Sequence, residues 1–431
     1  MYYKMNANLT IILLFSMVIN YYPQNLLKRT PLKSDFVRKE NKTRYYNRFE
    51  NKIISSLSLP LENHHKEWIE ALEDAESILL KSDLIKKAID KILRTETDND
   101  LKLQRIALES AYGFYKKDFK EIVNNIYQNT KDKISYSIAL NYLLRLEKDE
   151  NVISNYLNDI PKRFKNYKDD PLLQNLEYDL KNQDSLKFQN QPSLTELFNN
   201  KFQNGKTIFY SVQRHNRKFP GITIIKKPDG NFVANEDGTI FYIQQLALSY
   251  ADLPAYIPNG NTPEGIYSIV GTYISPTETI GPTPNVLVRS PFEVSPSIFF
   301  HEQNKFGNWN FKDYESILPK SWQQYFPIFQ SFYTGEIGRK LIIIHGSTDK
   351  TEYFKNEPYY PLTPTKGCLS SKEIWSEATG KQIESDQVKL IRAFIKTHQY
   401  KGFLVVIEID NKQKPVEIGE ILPYLKVGSQ R

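Results

Sequence analysis

Leu341-Ile342-Ile343-Ile344-His345-Gly346 is followed, after an aromatic and proline-rich interval, by Thr365-Lys366-Gly367-Cys368-Leu369-Ser370. The first stretch reads as a buried apolar strand that delivers a histidine at its end, a rigid place to present a base. In the second, Gly367 allows the backbone to turn sharply and approach a substrate closely, so that the amides of residues 367 and 368 face a developing oxyanion. Ser370 and Glu373 stand in capping-box spacing ahead of Ile374, Trp375 and Ala378, with Gly380 as a stop signal. That pattern predicts a helix starting within two residues of Cys368. A helix N-terminus and an imidazole both lower the pKa of a thiol, and the thiolate is the attacking species. Cys368 is the only cysteine of the chain, so it has no intramolecular disulfide partner. Cys368 and His345 are therefore the candidate nucleophile and base.

Outward from these motifs, residues 205–412 read as a mostly β domain. Strands are expected at Thr207 to Gln213, Ile222 to Lys227, Thr239 to Leu248, Gly265 to Tyr273, Val286 to Ser290, Ile298 to His301, Leu341 to His345 and Phe403 to Ile409. Pro228-Asp229-Gly230-Asn231 is a turn sequence, because proline fixes φ and glycine accepts positive φ, and it predicts a hairpin. Residues 55–195 read as helical, with Trp68, Leu72, Ile78, Leu79, Ile85, Ile89 and Ile92 at three- and four-residue spacings and glycine nearly absent apart from Gly113. Ile-Ala-Leu occurs at Ile106 to Leu108 and again at Ile138 to Leu140, which fits either stacked helical hairpins or a plain helical bundle. The expected fold class is thus α+β, an all-α region followed by a mostly β catalytic domain.

At the N-terminus, Lys4 precedes the apolar run Leu9 to Ile19, the length of a signal-peptide core and short of a membrane span. Residues 1–25 are read as a signal peptide or N-terminal anchor, residues 26–54 as a linker and residues 413–431 as a tail. Export to the periplasm or cell envelope follows, with membrane association through the N-terminal segment as the other reading. The 431 residues exceed what one ordinary core supports, and 40% hydrophobic residues suffice to build more than one. The +7 formal charge arises from 57 basic residues scattered among 50 acidic ones, which does not imply a nucleic-acid partner.

The two motifs together resemble the signature of the L,D-transpeptidase (YkuD-like) family. That signature pairs His-Gly with a downstream Ser/Thr-His-Gly-Cys-aliphatic-Arg/Asn. His345, Gly346, Thr365, Gly367, Cys368 and Leu369 match, and Asn261-Thr262-Pro263-Glu264-Gly265-Ile266-Tyr267 resembles the Thr-Pro-x-Gly-aromatic element that opens a strand in the same family. Lys366 stands where the family has a second histidine, Ser370 where it has Arg or Asn, and Thr351 to Leu362 lengthen the interval as a lid or wall over the site. The resemblance implies an L,D-transpeptidase-like catalytic domain over about 205–410 and a cysteine acyltransferase acting on peptidoglycan stem peptides. Cys368 forms a thioester with a tetrapeptide stem, His345 moves the proton, and the Gly346 backbone orients the imidazole. Lys366, Thr365, Ser370 and His301 are then candidate substrate-binding residues, and no metal or organic cofactor is implied. An L,D-carboxypeptidase that trims stems, or a degenerate cell-wall-binding scaffold, are the alternatives. His64, His65, His215 and His398 read as surface residues, and oligomeric state is not legible.

Overall fold

The computed structural model describes Leu27 and residues 31–425, apart from 96–99, 184–185, 200 and 306. The apolar run at Leu9 to Ile19 lies outside the described residues; among those described, no helix is long and apolar enough to cross a membrane.

Eight helices precede the barrel half: α1 (Lys39–Leu57), α2 (His65–Ser77), α3 (Asp83–Arg94), α4 (Leu101–Phe114), α5 (Lys120–Asn129), α6 (Lys133–Leu146), α7 (Glu150–Arg163) and α8 (Pro171–Lys181). Five of them, α3, α4, α6, α7 and α8, start at short polar side chains that accept from orphan amides of the first turn. Ser82 accepts from Ile85 N, Asp100 from Leu103 N, Asp132 from Ser135 N and Asp149 from Val152 N. Asp170 caps α8, whose first residue is Pro171. The apolar stripes of α2 to α6 close on one core, and α4 and α6, which carry the two Ile-Ala-Leu strings, pack against each other. Ala251, Leu253, Tyr256 and Ile257 from the second half enter this same core. Gly113 makes room for them, since a Cβ there would lie 3.0 Å from the Ala251 backbone. Two short helices, α9 (Leu186–Gln189) and α10 (Leu194–Phe198), lead into the second half.

That half is built on β1 (Thr207–Arg214), β2 (Gly221–Lys226), β3 (Tyr242–Leu246), β4 (Gly265–Tyr273), β5 (Asn285–Arg289), β6 (Ile343–His345), β7 (Leu369–Ser371) and β10 (Gly402–Asp410), with β8 (Glu373–Trp375) and β9 (Gln382–Ser385) as a separate two-stranded ribbon. The eight strands close in the order β1-β10-β4-β5-β6-β7-β3-β2. Pairing is mixed: β1 with β10 and β6 with β7 run parallel, and the other neighbours antiparallel. Alternate residues feed two cores. Phe209, Ile344, Leu369, Leu404 and Val406 join α14 (Asp386–Ile395), while Ile208, Tyr210, Val405 and Ile407 meet α11 (Pro296–Phe300), α12 (Phe311–Ser316), α13 (Gln330–Glu336) and α15 (Ile418–Leu425) or the loops beside them.

This architecture corrects the expected fold class. The second half is not a mostly β, L,D-transpeptidase-like domain: the described residues hold 15 helices and a closed eight-stranded mixed barrel. The strand read at Ile298 to His301 is the helix α11, started by Pro296 and ended by His301 in the left-handed region at φ 58°. Residues 39–54, within the stretch read as a linker, belong to α1, which runs on to Leu57. The helix expected behind Cys368 is absent, because residues 369–371 are captured as a strand between β6 and β3 and Glu373 opens β8.

Candidate functional site

Parallel pairing of β6 with β7 sets Ile344 opposite Leu369 and His345 opposite Ser370, with Cys368 immediately before β7. Side chains alternate along strands. Ile344 and Leu369 therefore turn together into a barrel core, and His345 and Ser370 share the other face, with Cys368 at the start of β7 beside β6. The sulfur lies 3.6 Å from Leu341 O, and the Ile343 N–H also addresses it. Cys368 keeps partial contact with solvent, whereas His345 is 6% exposed. Nδ1 of His345 is 2.6 Å from the Gly346 carbonyl oxygen. A carbonyl only accepts, so Nδ1 carries the proton and Nε2 is left with its lone pair. Burial pulls the imidazole below its ordinary value, opposed in part by that carbonyl. Burial likewise pushes the thiol up, while the Ile343 N–H and the Arg339 charge act the other way. With no helix N-terminus behind the sulfur, the pair rests as neutral thiol and neutral imidazole, not as the preformed thiolate that the sequence suggests.

The turn carrying Cys368 is held at every carbonyl. Arg339 Nη2 donates to Lys366 O at 3.2 Å, Thr262 Oγ1 to Gly367 O at 3.1 Å and Thr365 Oγ1 to Cys368 O at 3.1 Å. The Thr262 to Gly265 element and the cysteine motif, distant in sequence, are thus in contact. Gly367 sits at φ +91°, a region that favours glycine, and a Cβ there would run into the Arg339 guanidinium. Gly346 is required for a parallel reason, since a Cβ on it would meet the carboxyl of Glu373.

The other candidates are placed as follows. The Gly367 amide donates to Thr365 Oγ1 at 3.0 Å instead of standing open for an oxyanion, which makes Thr365 a brace of the turn. Ser370 is fully buried and donates to Thr363 O at 2.5 Å. Lys366 reaches across to α2, with Nζ 2.9 Å from Glu73 Oε2. Burial pulls its ammonium down, yet Glu73, Glu109 and Glu76 outweigh burial and leave it raised. His301 bonds through Nε2 to Gly402 O at 2.8 Å and Ser268 Oγ at 3.1 Å, on β10 and β4, so it does not join the pair on β6 and β7. His215, read as a surface residue, lies 2.8 Å from Glu408 Oε2. The interval at 351–362 is a packed wall: Phe354, Tyr359 and Leu362 are buried against Leu246 and Leu248.

No family model, curated protein or solved structure matches this chain. The reading of the site rests on its own geometry.

Around the sulfur the structure adds residues that no motif flagged. Tyr250 and Tyr273 lie near enough that an ionised Cys368 would raise both phenols, Glu293 accepts from Leu341 N at 3.3 Å, and Arg289 pairs with Glu293 at 3.4 Å. These come from four separate loops or strands, so only long-range pairing brings them together. Among the described residues, no group of three or more His, Cys, Asp or Glu side chains is placed to hold a metal ion.

Proposed function

We propose that Cys368 and His345 carry out cysteine acyl transfer on a peptide carbonyl, and that the substrate is a peptidoglycan tetrapeptide stem, giving L,D-transpeptidation. The observation that carries this reading is the parallel pairing of β6 with β7, which brings the only thiol, immediately before β7, beside the strand that ends in a tautomer-fixed histidine. The reading rests on the site and its motif, not on the fold of the domain.

A neutral pair implies general-base attack. As Sγ of Cys368 adds to the carbonyl of the third stem residue, His345 Nε2 takes the thiol proton. Collapse of the tetrahedral adduct breaks the peptide bond to the terminal D-amino acid, whose amine leaves with the proton returned by His345. A thioester remains on Cys368. The amine of a second stem then attacks it and releases a cross-link; water in the same role releases a tripeptide, which is the carboxypeptidase outcome. Gly346 O holds the imidazole in one tautomer through both half-reactions, so no acidic third residue has to contact the ring. The reading places the protein at the cell envelope, with the stretch before residue 31 supplying export or anchoring.

Purified protein and its Cys368→Ala variant, incubated with disaccharide-tetrapeptide and read by mass spectrometry, test the proposal. Dimers lacking one D-alanine, formed only by the wild type, support transfer. Tripeptide alone supports hydrolysis. Identical product spectra for the two proteins would overturn the enzymatic reading in favour of a binding scaffold.

A further inference from the structure

The motif that this chain resembles keeps an Arg or Asn two positions past the cysteine; here that position is Ser370, buried and committed to Thr363 O. A guanidinium nevertheless reaches the cysteine turn from elsewhere. Arg339 precedes β6, and its Nη2 donates to Gly260 O at 2.6 Å and to Lys366 O at 3.2 Å. It therefore ties the 257–260 loop to the turn that delivers Cys368. It also occupies the space beside Gly367 that any Cβ would need. Planar geometry suits arginine to hold two carbonyls at once, which the point charge of a lysine does less well.

We infer that Arg339 is a positioning residue for the Cys368 nucleophile: it clamps the 366–368 turn and supplies, from the loop before β6, the cation that position 370 lacks. The inference rests on the nucleophilic role proposed for Cys368. Charge beside a thiol that must become a thiolate lowers the cost of ionisation as His345 takes the proton. The groups facing the sulfur are few. Arg339 is the cation, Glu293 opposes it from the loop after β5, and Arg289 partly neutralises Glu293. Tyr250 from the loop after β3 and Tyr273 at the end of β4 complete the surroundings, and His345 ends the neighbouring strand β6. The direction of the Cys368 shift agrees, because Arg339 is among the causes that restrain its rise.

Because the chain has one cysteine, alkylation by iodoacetamide reads this thiol alone. The rate is followed against pH for the full-length wild type and for Arg339→Lys, Arg339→Gln and Arg339→Met, with circular dichroism on each. Loss of charge in the Gln and Met variants should move the alkylation midpoint up and slow reaction at neutral pH by ~10-fold for each unit of rise. Arg339→Lys should keep a midpoint near that of the wild type but lose turnover with tetrapeptide, since charge survives and the two-carbonyl clamp does not. If Arg339→Met fails to fold, the Gln and Lys pair still decides. One alkylation profile shared by wild type, Lys and Gln variants would overturn the inference. This readout needs no peptidoglycan, so a wrong substrate class would show as normal alkylation shifts without turnover.

Discussion

Glu373 shows how much a single side chain near the site depends on what surrounds it. Its carboxyl is buried against Gly346, accepts from Ser385 Oγ at 2.6 Å and Gln382 Nε2 at 2.9 Å through Oε1, and leaves Oε2 without a hydrogen-bond partner. Burial pushes it up from 4.5 to about 8, so it is held protonated at neutral pH. A carboxyl whose folded value is raised binds its proton in the native state after the unfolded chain has released it. Native stability linked to Glu373 is therefore complete below about pH 4.5 and declines as pH rises to about 8. The slope is at most ~1.4 kcal/mol per pH unit. Glu373→Gln, which stays neutral, should flatten that decline, and urea midpoints from pH 5 to pH 9 would show it. Parallel curves for the two proteins would mean that the carboxyl is already ionised or solvated. Position matters as much as charge here: the carboxyl lies behind the peptide whose carbonyl fixes His345, so the Gln variant keeps the packing that orients the ring.

At the scale of elements, the loop after β6 is buttressed by α1. Tyr46 of α1 donates to Asp349 Oδ1 at 3.1 Å, accepts from Lys350 N at 3.1 Å, and sets its ring 5.4 Å from that of Tyr353. Lys42 adds a bond to Asp349 O at 2.9 Å, and Tyr353 bonds back to Glu50 at 2.5 Å. Because Tyr46 is 3% exposed, Tyr46→Ala should cost about 3 kcal/mol, the range for truncating a buried aromatic. It should also raise amide exchange at 347–354 well beyond that of the barrel strands. Unchanged exchange there would show that the loop holds itself. The stretch around α1 reads poorly in the sequence because its apolar positions are aromatic and sparse, and its partner lies about 300 residues away. The failure behind Cys368 has a similar cause. Ser370 and Glu373 do have capping-box spacing, but their side chains answer to Thr363, Ser385 and Gln382, and the backbone of 369–371 is paired on both edges. Local pattern gave way to tertiary pairing. By contrast, β1, β2, β4 and β10 were legible, because their apolar runs are long and bounded by turn residues.

For the whole molecule, barrel closure could not be read from the chain, since β1 lies beside β10, its parallel partner from the far end of the second half. What ties the helical half to that closed barrel is legible only in space. Lys187 on α9, between the two halves, places Nζ 2.6 Å from Glu264 and 2.5 Å from Glu408. Glu264 is the variable residue of the Thr-Pro-x-Gly element and accepts from Glu408 N at 2.8 Å. Arg217 and His215 also bond Glu408, and all but His215 are almost fully buried. Removing the shared cation strands the Glu264 carboxylate in protein interior while Arg217 and His215 still pair Glu408, which by precedent for broken buried pairs costs about 3–5 kcal/mol. Lys187→Met should lose that much stability in urea titrations. Pairing it with Glu264→Gln should restore a substantial part, because the stranded charge and not the missing methylene packing dominates the loss. Recovery in the double variant is the decisive result: if the two substitutions merely add, Lys187 contributes through packing of α9, and the buried carboxylates are held by Arg217 and the surrounding backbone alone.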